Sequence, residues 1–372
     1  MPDTHLPPLR ILHTESSLGW GGQEIRILTE ASAMQQRGQQ VALLCPANAR
    51  IFAAAQARNL PAEAVRIGRK GLPGVLDMAR WLRNHPVDVI VTHSSTDSWL
   101  TALACRLLWQ PPPVIRLRHI SAPVPRNLAT RWLYTQSCRH IVTTGEALRQ
   151  QLIRDNRFPA DRITSIPTGI DLQRFVPGRP AQARQQLGLP PDRFTIGIVA
   201  TLRSWKGHAH LLAAMAALQR PDLHLLIVGD GPQRANLTQQ IQDLHLTDQV
   251  TLPGNQDNVV PWLQACDLFA LPSYANEGVP QSLMQAMACG VPVLSTPVGS
   301  IAEIVQHQTT GLLVPPQDPV ALTGALRMLL EDTPLRHTLR NNALLFAQQH
   351  FSLERMVERM EGVMRQVIGL PR

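Results

Sequence analysis

Two successive series of short apolar runs and helix-like stretches, separated by a segment rich in proline and glycine, constrain the fold of this 372-residue chain more than any other feature. The alternation is typical of parallel sheets, because two parallel strands must be joined by a crossover, usually a helix. In the first series the strand-like runs are 10–14, 41–45, 87–93, 113–119 and 140–145, with helix-like stretches such as 23–37 and 74–84. In the second series they are 194–200, 223–229, 249–254, 267–273, 291–296 and 311–316. The sequence therefore predicts an α/β fold of two doubly wound domains that face each other across a cleft.

The boundary between the predicted domains lies in residues 165–192, where prolines and glycines are frequent enough to interrupt any regular element. We assign residues 1–170 to the first domain and 171–350 to the second, sizes that each suit a single core. After Ser352, apolar residues recur at helical spacing in one stripe. This pattern predicts a helix over about 352–368 that packs back on the first domain.

Composition narrows the class of protein and of partner. No stretch reaches the roughly 20 apolar residues of a membrane span, and the start of the chain lacks the apolar region of a signal peptide, so we expect a cytoplasmic protein. The five cysteines form no Cys-x-x-Cys pair, which predicts buried thiols and neither a disulfide framework nor a zinc site. A net charge of +8 favours anionic partners such as nucleotides, phosphorylated glycans or the inner face of a membrane. Nucleic acid is disfavoured, because only 4% of the residues are aromatic and the arginines form no single run.

Parallel α/β sheets bind ligands in the loops beyond the carboxyl ends of their strands. After the first strand, Gly21 and Gly22 precede a helix, where glycines let backbone N–H groups approach an anionic or hydroxyl-rich ligand, although a plain tight turn has the same composition. His119 ends a later strand and is flanked by Arg116 and Arg118. We expect Gly21, Gly22, Arg118 and His119 to face the cleft.

In the second domain, Arg203 and Lys206 directly follow the strand-like run 194–200. Two cations at this place suit a diphosphate and can offset the charge that grows on a departing phosphate, although a solvated basic turn has the same composition. The sequence has no Asp-x-Asp pair, which weighs against a magnesium or manganese site. We therefore predict that no metal ion and no other cofactor takes part.

The stretch 272–300 is the most informative one. Its loop carries Glu277, Gly278 and Val279 and leads into a helix that starts near Pro280. The first N–H groups of such a helix can bind phosphate or sugar oxygens, and a carboxylate can bind sugar hydroxyls.

A glycine pair in the second domain lies in the segment "IVGDGPQR". Arg234 stands there at the place of the third glycine of a dinucleotide fingerprint. We therefore interpret Gly229 and Gly231 as shaping a turn near the ligand.

Residues 160–330 closely resemble the family 4 retaining glycosyltransferases, which have the GT-B fold of two Rossmann-like domains, and the first domain resembles them more loosely. The similar segments are "IPTGIDLQRFVP", "LLIVGDGPQRANL", "ACDLFALPS", "AMACGVPVLSTPVGSIAEIV" and "TGLLVPPQDP", together with "GGQE" at 21–24. The resemblance implies an enzyme that moves a sugar from a nucleotide diphosphate to an acceptor with retention, without a dedicated protein base.

The resemblance also implies roles for single residues. Lys206 would bind the diphosphate, and Gly278 and Val279 would offer N–H groups to the donor. Glu277 would hold hydroxyls of the transferred sugar, and His119 would contact that sugar or the leaving phosphate.

Two positions depart from the family pattern. Gln285 stands where a second glutamate binds the ribose hydroxyls, which implies weaker donor binding or another nucleotide. Thr201 stands where an arginine precedes the lysine by five residues, and we predict that Arg203 takes over its contact with the diphosphate.

The acceptor is the least constrained partner. Arg116, Arg118 and Arg126 suggest that it is an anionic glycan or glycolipid, such as a lipopolysaccharide core, and the positive charge suggests peripheral contact with an anionic membrane. Two alternatives stay open: a non-catalytic GT-B subunit that binds sugar nucleotides, and a GT-B-like sugar-nucleotide epimerase. The joint presence of Lys206, Glu277 and the glycine loop favours the transferase.

Overall fold

The computed structural model describes residues 7–370, so residues 1–6 of the predicted first domain and residues 371–372 lie outside the described part. The chain divides into two compact units. Within the described range, the first unit comprises 7–119, 123–169 and 353–370, and the second comprises 120–122 and 170–352. No helix among residues 7–370 is long and apolar enough to cross a membrane.

The first unit is built on a seven-stranded sheet. Its elements are β1 (Arg10–Thr14), α1 (Gly22–Gln36), β2 (Gln40–Cys45), α2 (Arg50–Gln56), β3 (Ala62–Ala64), α3 (Leu72–Asn84), β4 (Val89–Thr92), α4 (Ser95–Cys105), β5 (Val114–Arg118), α5 (Leu128–Thr135), β6 (His140–Thr143), α6 (Glu146–Asn156) and β7 (Ile163–Ser165). All strands are parallel, in the order β3-β2-β1-β4-β5-β6-β7. From β1 the chain adds strands β2 and β3 on one side, and from β4 onward it adds them on the other side. The edge beyond the carboxyl ends of β1 and β4 is therefore a topological switch point.

The second unit is built on a six-stranded sheet. Its elements are α7 (Pro180–Leu187), β8 (Phe194–Val199), α8 (His208–Leu218), β9 (Leu223–Val228), α9 (Arg234–Asp243), β10 (Val250–Gly254), α10 (Val260–Gln264), β11 (Leu268–Leu271), α11 (Gln281–Ala288), β12 (Val293–Ser295), β13 (Leu312–Leu313), α12 (Pro319–Glu331) and α13 (Thr333–His350). These strands are also parallel, in the order β10-β9-β8-β11-β12-β13. The switch point lies between β8 and β11.

The last helix, α14 (Leu353–Ile368), belongs to the first unit. Its buried Met356, Met360 and Met364 pack in one apolar cluster with Ile27 and Leu28 of α1. The helix thus completes one face of the first sheet, and α3, α4 and α5 cover the other face. The predicted return of the C-terminal helix to the first domain is confirmed, as is the pair of doubly wound sheets.

The structure differs from the sequence prediction at three elements. The short strands β3 and β7 were not predicted, because three residues are too few to show a period of two. Helix α7 lies inside 165–192, where we expected no regular element. Pro180 occupies its first turn, where a missing N–H costs nothing, and Gly188 closes it in a left-handed conformation.

Candidate functional site

The switch point of the second unit brings two predicted residues together. Lys206 ends a short 3-10 turn, Ser204–Lys206, that follows β8, and Glu277 lies in the loop that follows β11. Lys206 Nζ donates to Glu277 Oε1 at 2.7 Å. The two residues are 71 positions apart and meet because the carboxyl ends of neighbouring parallel strands share one edge of the sheet.

The carboxylate of Glu277 is nearly removed from water. Its side chain is 5% exposed against 20% for Lys206, and the hydroxyl of Ser273 donates to the same Oε1 at 2.6 Å. A buried carboxylate needs such partners to offset its lost hydration. The arrangement leaves the ammonium group as the more accessible end of the pair.

Backbone contacts hold the Glu277 loop from both sides. The N–H of Tyr274 donates to the carbonyl of Trp205 at 2.8 Å, and the N–H of Ser300 donates to the carbonyl of Gly278 at 3.1 Å. Gly299 has φ +61° and packs so tightly that a Cβ there would collide with the Glu277 carbonyl. The loop is therefore fixed by the turns after β8 and β12.

The N–H groups of Gly278 and Val279 follow directly, ahead of α11. Within residues 7–370 neither donates to an acceptor of the protein. Both residues are buried, so these donors gain partners only from a ligand or from water. Gln285 lies on α11, is 9% exposed and stands two turns beyond this point.

The other predicted residues of the second unit lie around this pair. The guanidinium of Arg203 stacks over Trp205 at 5.6 Å from the ring centroid, and Arg203 is exposed. Gly229 has φ +144°, and a Cβ there would collide with the carbonyl oxygen of Ala200. Gly231 approaches the backbone of Leu202 in the same way. These two glycines thus allow the loops after β8 and β9 to pack closely against each other.

The switch point of the first unit carries the remaining predicted residues and a set that sequence reasoning missed. Gly21 is extended and precedes α1, which begins at Gly22. The loop before them is braced by Glu15, whose carboxyl oxygens accept the N–H of Ser17 at 2.7 Å and the side-chain amide of Gln23. Glu15 is fully buried.

His119 follows β5 and lies beside His93, which follows β4, with 3.1 Å between His93 Nδ1 and His119 Nε2. Asp97 fixes the loop after β4, since its carboxylate accepts N–H groups of His93 and Ser94 at 2.8 and 2.9 Å. The missed residues were visible as "HTESS" and "THSSTD", two strand ends followed by polar side chains. The spacing of Ser94 and Asp97 is also that of a capping box.

The arginines near His119 differ in their surroundings. Arg116 is 3% exposed; its guanidinium donates to the Ser94 carbonyl at 3.3 Å and lies 4.5 Å from the Tyr134 ring centroid. Arg118 is half-buried, and burial lowers its pKa. Arg126 is exposed over 70% of its side chain. The suggestion that Arg116 meets an anionic acceptor fails, because its charge is enclosed within the first unit.

Comparison with known proteins gives two matching family models. The model described as Glycosyltransferase Family 4 matches residues 20–174, and the model described as Glycosyl transferases group 1 matches residues 181–345. D-inositol 3-phosphate glycosyltransferase of Nocardia farcinica is 30% identical over 360 residues, which cover 87% of this chain and 76% of that protein. N-acetyl-alpha-D-glucosaminyl L-malate synthase of Bacillus anthracis is 30% identical over 211 residues, which cover 56% of this chain and 55% of that protein.

Solved structures share the fold over almost the whole chain. A glycosyltransferase of Rickettsia africae superposes with a TM-score of 0.86 at 19% identity and covers 98% of this chain and 99% of its own. The Anabaena protein HepE, solved with UDP-glucose, superposes with a TM-score of 0.87 at 24% identity, and the match covers 96% of this chain and 100% of HepE.

Glu15 gives the stability of the first unit a measurable pH dependence. Burial, with Asp97 nearby, raises the pKa of Glu15 from 4.5 to about 8. The folded protein therefore keeps a proton that the unfolded chain loses above pH 4.5, and the free energy of unfolding falls by about 1 kcal/mol per pH unit as pH rises toward 8. We expect Glu15→Gln to remove this fall between pH 5.5 and 7.5, measured by urea denaturation.

The exposed Glu63 provides the control, and Glu63→Gln should keep the wild-type pH dependence. Equal pH slopes for Glu15→Gln and the wild type would contradict the assignment. The difference between variant and wild type cancels the contributions of the other titratable groups that both proteins share.

Proposed function

This chain belongs to the family 4 glycosyltransferases, and we propose that it moves a sugar with retention from a nucleotide diphosphate, bound by its second unit, to an anionic acceptor, without a metal ion. The contact between Lys206 and Glu277 at the switch point between β8 and β11 carries this proposal. It joins one cation suited to a diphosphate and one carboxylate suited to sugar hydroxyls at the place where open parallel sheets bind ligands.

The chemistry follows from the charges that develop during transfer. Breaking the bond between the anomeric carbon and the phosphate oxygen leaves negative charge on the diphosphate, which the ammonium of Lys206 and the N–H groups of Gly278 and Val279 stabilise. Arg203 supplies a second cation three residues before Lys206. The leaving phosphate oxygen accepts the proton of the acceptor hydroxyl on the same face, so retention needs no protein base.

The two lysines of the chain allow a matched test of donor binding. We expect Lys206→Met to raise the Kd of a nucleoside diphosphate by about tenfold, the cost of one charged hydrogen bond, while Lys70→Met leaves it unchanged. Glu277→Gln should lower the turnover of the sugar nucleotide and should change the Kd of the nucleoside diphosphate less. Calorimetry measures the Kd, and the release of nucleoside diphosphate measures turnover.

Four outcomes would contradict parts of this proposal. Unchanged nucleotide affinity in Lys206→Met would remove the assigned site, and unchanged affinity in Arg203→Ala would remove the second cation. Loss of turnover in a chelator would show that a metal ion takes part. An isomerised sugar nucleotide formed without acceptor would indicate an epimerase instead.

We propose that the acceptor carries phosphate or carboxylate, as a glycolipid of the cell surface does. Half-buried Arg118 ends β5, and exposed Arg126 follows it. Arg126 lies 3.9 Å from Asp155, at the limit of an ion pair, so most of its exposed side chain stays accessible to an anion. The names of the two relatives above contain inositol 3-phosphate and malate, both anions. A small anionic acceptor fits the same surface as well as an anionic glycolipid.

Acceptor charge should decide the rate of transfer. We expect a phosphorylated acceptor to be used with at least about tenfold higher kcat/KM than its dephosphorylated form, because a cation–phosphate contact is worth about 1.5 to 3 kcal/mol. Arg126→Gln should reduce this ratio, and Arg139→Gln, which changes an exposed arginine just before β6, should not. Equal rates with both acceptors would end the proposal of an anionic acceptor.

We further propose peripheral contact with the anionic inner face of a membrane, through the side of the first unit formed by α3, α4 and α5. Its exposed apolar side chains include Trp109 at 97%, Leu128 at 86% and Leu72 at 68%. Arginine and lysine are frequent between residues 66 and 139, whereas the acidic residues there are Asp77 and Asp88, each paired with an arginine, and buried Asp97. Such a mixture suits a bilayer interface.

Vesicle binding tests this surface. We expect the protein to cosediment with phosphatidylglycerol vesicles and much less with phosphatidylcholine vesicles. Trp109→Ala should weaken binding about tenfold, because roughly 1 to 2 kcal/mol of apolar burial is lost. Leu345→Ala, at an exposed leucine of α13, should have no effect. Equal binding to both lipids would contradict the proposal.

A further inference from the structure

Three histidines form a continuous row across three neighbouring strands of the first unit. His13 lies near the end of β1, His93 follows β4 and His119 follows β5. The distance from His13 Nδ1 to His93 Nε2 is 2.9 Å, and that from His93 Nδ1 to His119 Nε2 is 3.1 Å. His13 is fully buried, His93 is 4% exposed and His119 is partly exposed, so the row leads from the interior of the unit to its edge.

All three rings are neutral at physiological pH. Burial is the main cause: it lowers the pKa of His13 to about 4 and holds the pKa values of His93 and His119 well below their usual range. The positive charge of Arg26 lowers each of the three further, and Arg116 and Arg118 add to this at the outer end. A neutral imidazole has one N–H donor and one acceptor nitrogen.

This limits the row to two arrangements, because each contact needs one donor and one acceptor. In the first, every ring carries its proton on Nδ1, and His119 has an Nδ1–H that points out of the row. In the second, every ring carries its proton on Nε2, and His119 presents an acceptor. The tautomer of His119 is thus tied to that of His13 through His93.

The buried end selects between the two arrangements. Among residues 7–370, His13 Nε2 has no hydrogen-bond partner and is closed off from water. The second arrangement would place an N–H donor there without an acceptor, which is rarer in proteins than an unpaired acceptor. Arg26, fully buried on α1 and paired with buried Glu30 at 3.4 Å, acts on all three rings and so does not distinguish the two arrangements. The charges of Arg116 and Arg118 act at the outer end, where partial exposure to water weakens their effect.

We propose that His13 and His93 are positioning residues that hold His119 as its neutral Nδ1–H tautomer, so that His119 presents a hydrogen-bond donor at the edge of the first unit. The backbone supports this placement, because the Thr144 hydroxyl donates to the carbonyl of His119 at 3.2 Å and ties it to the end of β6. Isolated imidazole side chains favour the Nε2–H form, so the row reverses the ordinary preference.

The consequence for catalysis rests on the proposed function. A fixed N–H donor at His119 suits an oxygen of the sugar nucleotide, either a hydroxyl of the sugar or an oxygen of the leaving phosphate. An imidazole free to exchange tautomers would present an acceptor part of the time. Because the row fixes the tautomer, His119 presents its N–H donor all the time. The row achieves this without placing a further positive charge in the buried interior.

Long-range proton–nitrogen spectra of protein labelled with 15N-histidine test the tautomer directly, with His119→Asn used to assign the signals. We expect Nδ1–H at His119 in the wild type and a shift to Nε2–H in His93→Phe, which removes both contacts. His93→Gln should keep the wild-type form, because its amide accepts from His13 and donates to His119. An Nε2–H signal at His119 in the wild type, or no change in His93→Phe, would overturn the proposal.

Kinetics tests the consequence separately. We expect His93→Phe to lower kcat/KM for transfer about tenfold while the Kd of a nucleoside diphosphate stays constant, and His93→Gln to restore most of the rate. His140→Phe is the control, because His140 is buried on β6, bonds Thr164 at 2.8 Å and lies outside the row. Equal loss in His93→Phe and His140→Phe would overturn the catalytic role of the row. If the wild type transferred no sugar, the proposed function would fail while the spectra still tested the tautomer.

Discussion

A carboxylate and an ammonium group share a largely buried place only when each neutralises the other, and the second unit depends on such a pair. Lys206 and Glu277 meet at 2.7 Å because β8 and β11 are neighbours whose carboxyl ends lie at one edge. The turns after β8 and β12 then fix the Glu277 loop, in which Gly278 and Val279 directly follow Glu277. One loop therefore carries both the carboxylate that holds Lys206 and the two backbone donors.

The same topological rule gives the first unit a different interior. At its switch point, buried carboxyl groups and imidazoles take part in hydrogen bonds. The corresponding place in the second unit holds the ion pair of Lys206 and Glu277. Asp97 accepts from the N–H groups of His93 and Ser94 and from the hydroxyls of Ser94 and Thr14. Such a network fixes each member through its neighbours, because every buried donor needs an acceptor. The switch point of the second unit is thus organised around a charge pair, and that of the first unit around hydrogen bonds.

The sequence predicts the strands better than the site. Apolar runs such as β4 and β9 are evident because both faces of a parallel sheet are covered, so these strands contain almost no polar residue. Lys206 and Glu277 could be found through their position after strands and through resemblance to a family. His13, His93 and Glu15 also stand at strand ends, but their burial and their contacts could not be predicted, since these depend on which strands are neighbours. Whether an arginine is enclosed, as Arg116 is, likewise depends on packing that a linear pattern does not contain.

The position of α14 has a consequence for synthesis of the protein. The first unit takes its strands from the start of the chain and its last covering helix from the end, while the whole second unit is translated in between. Until Met356, Met360 and Met364 leave the ribosome, Ile27 and Leu28 of α1 lack the part of their apolar cluster that α14 supplies. The second unit can complete its core earlier, so the nascent chain carries one complete and one incomplete unit, and the incomplete unit exposes apolar surface until α14 has been translated.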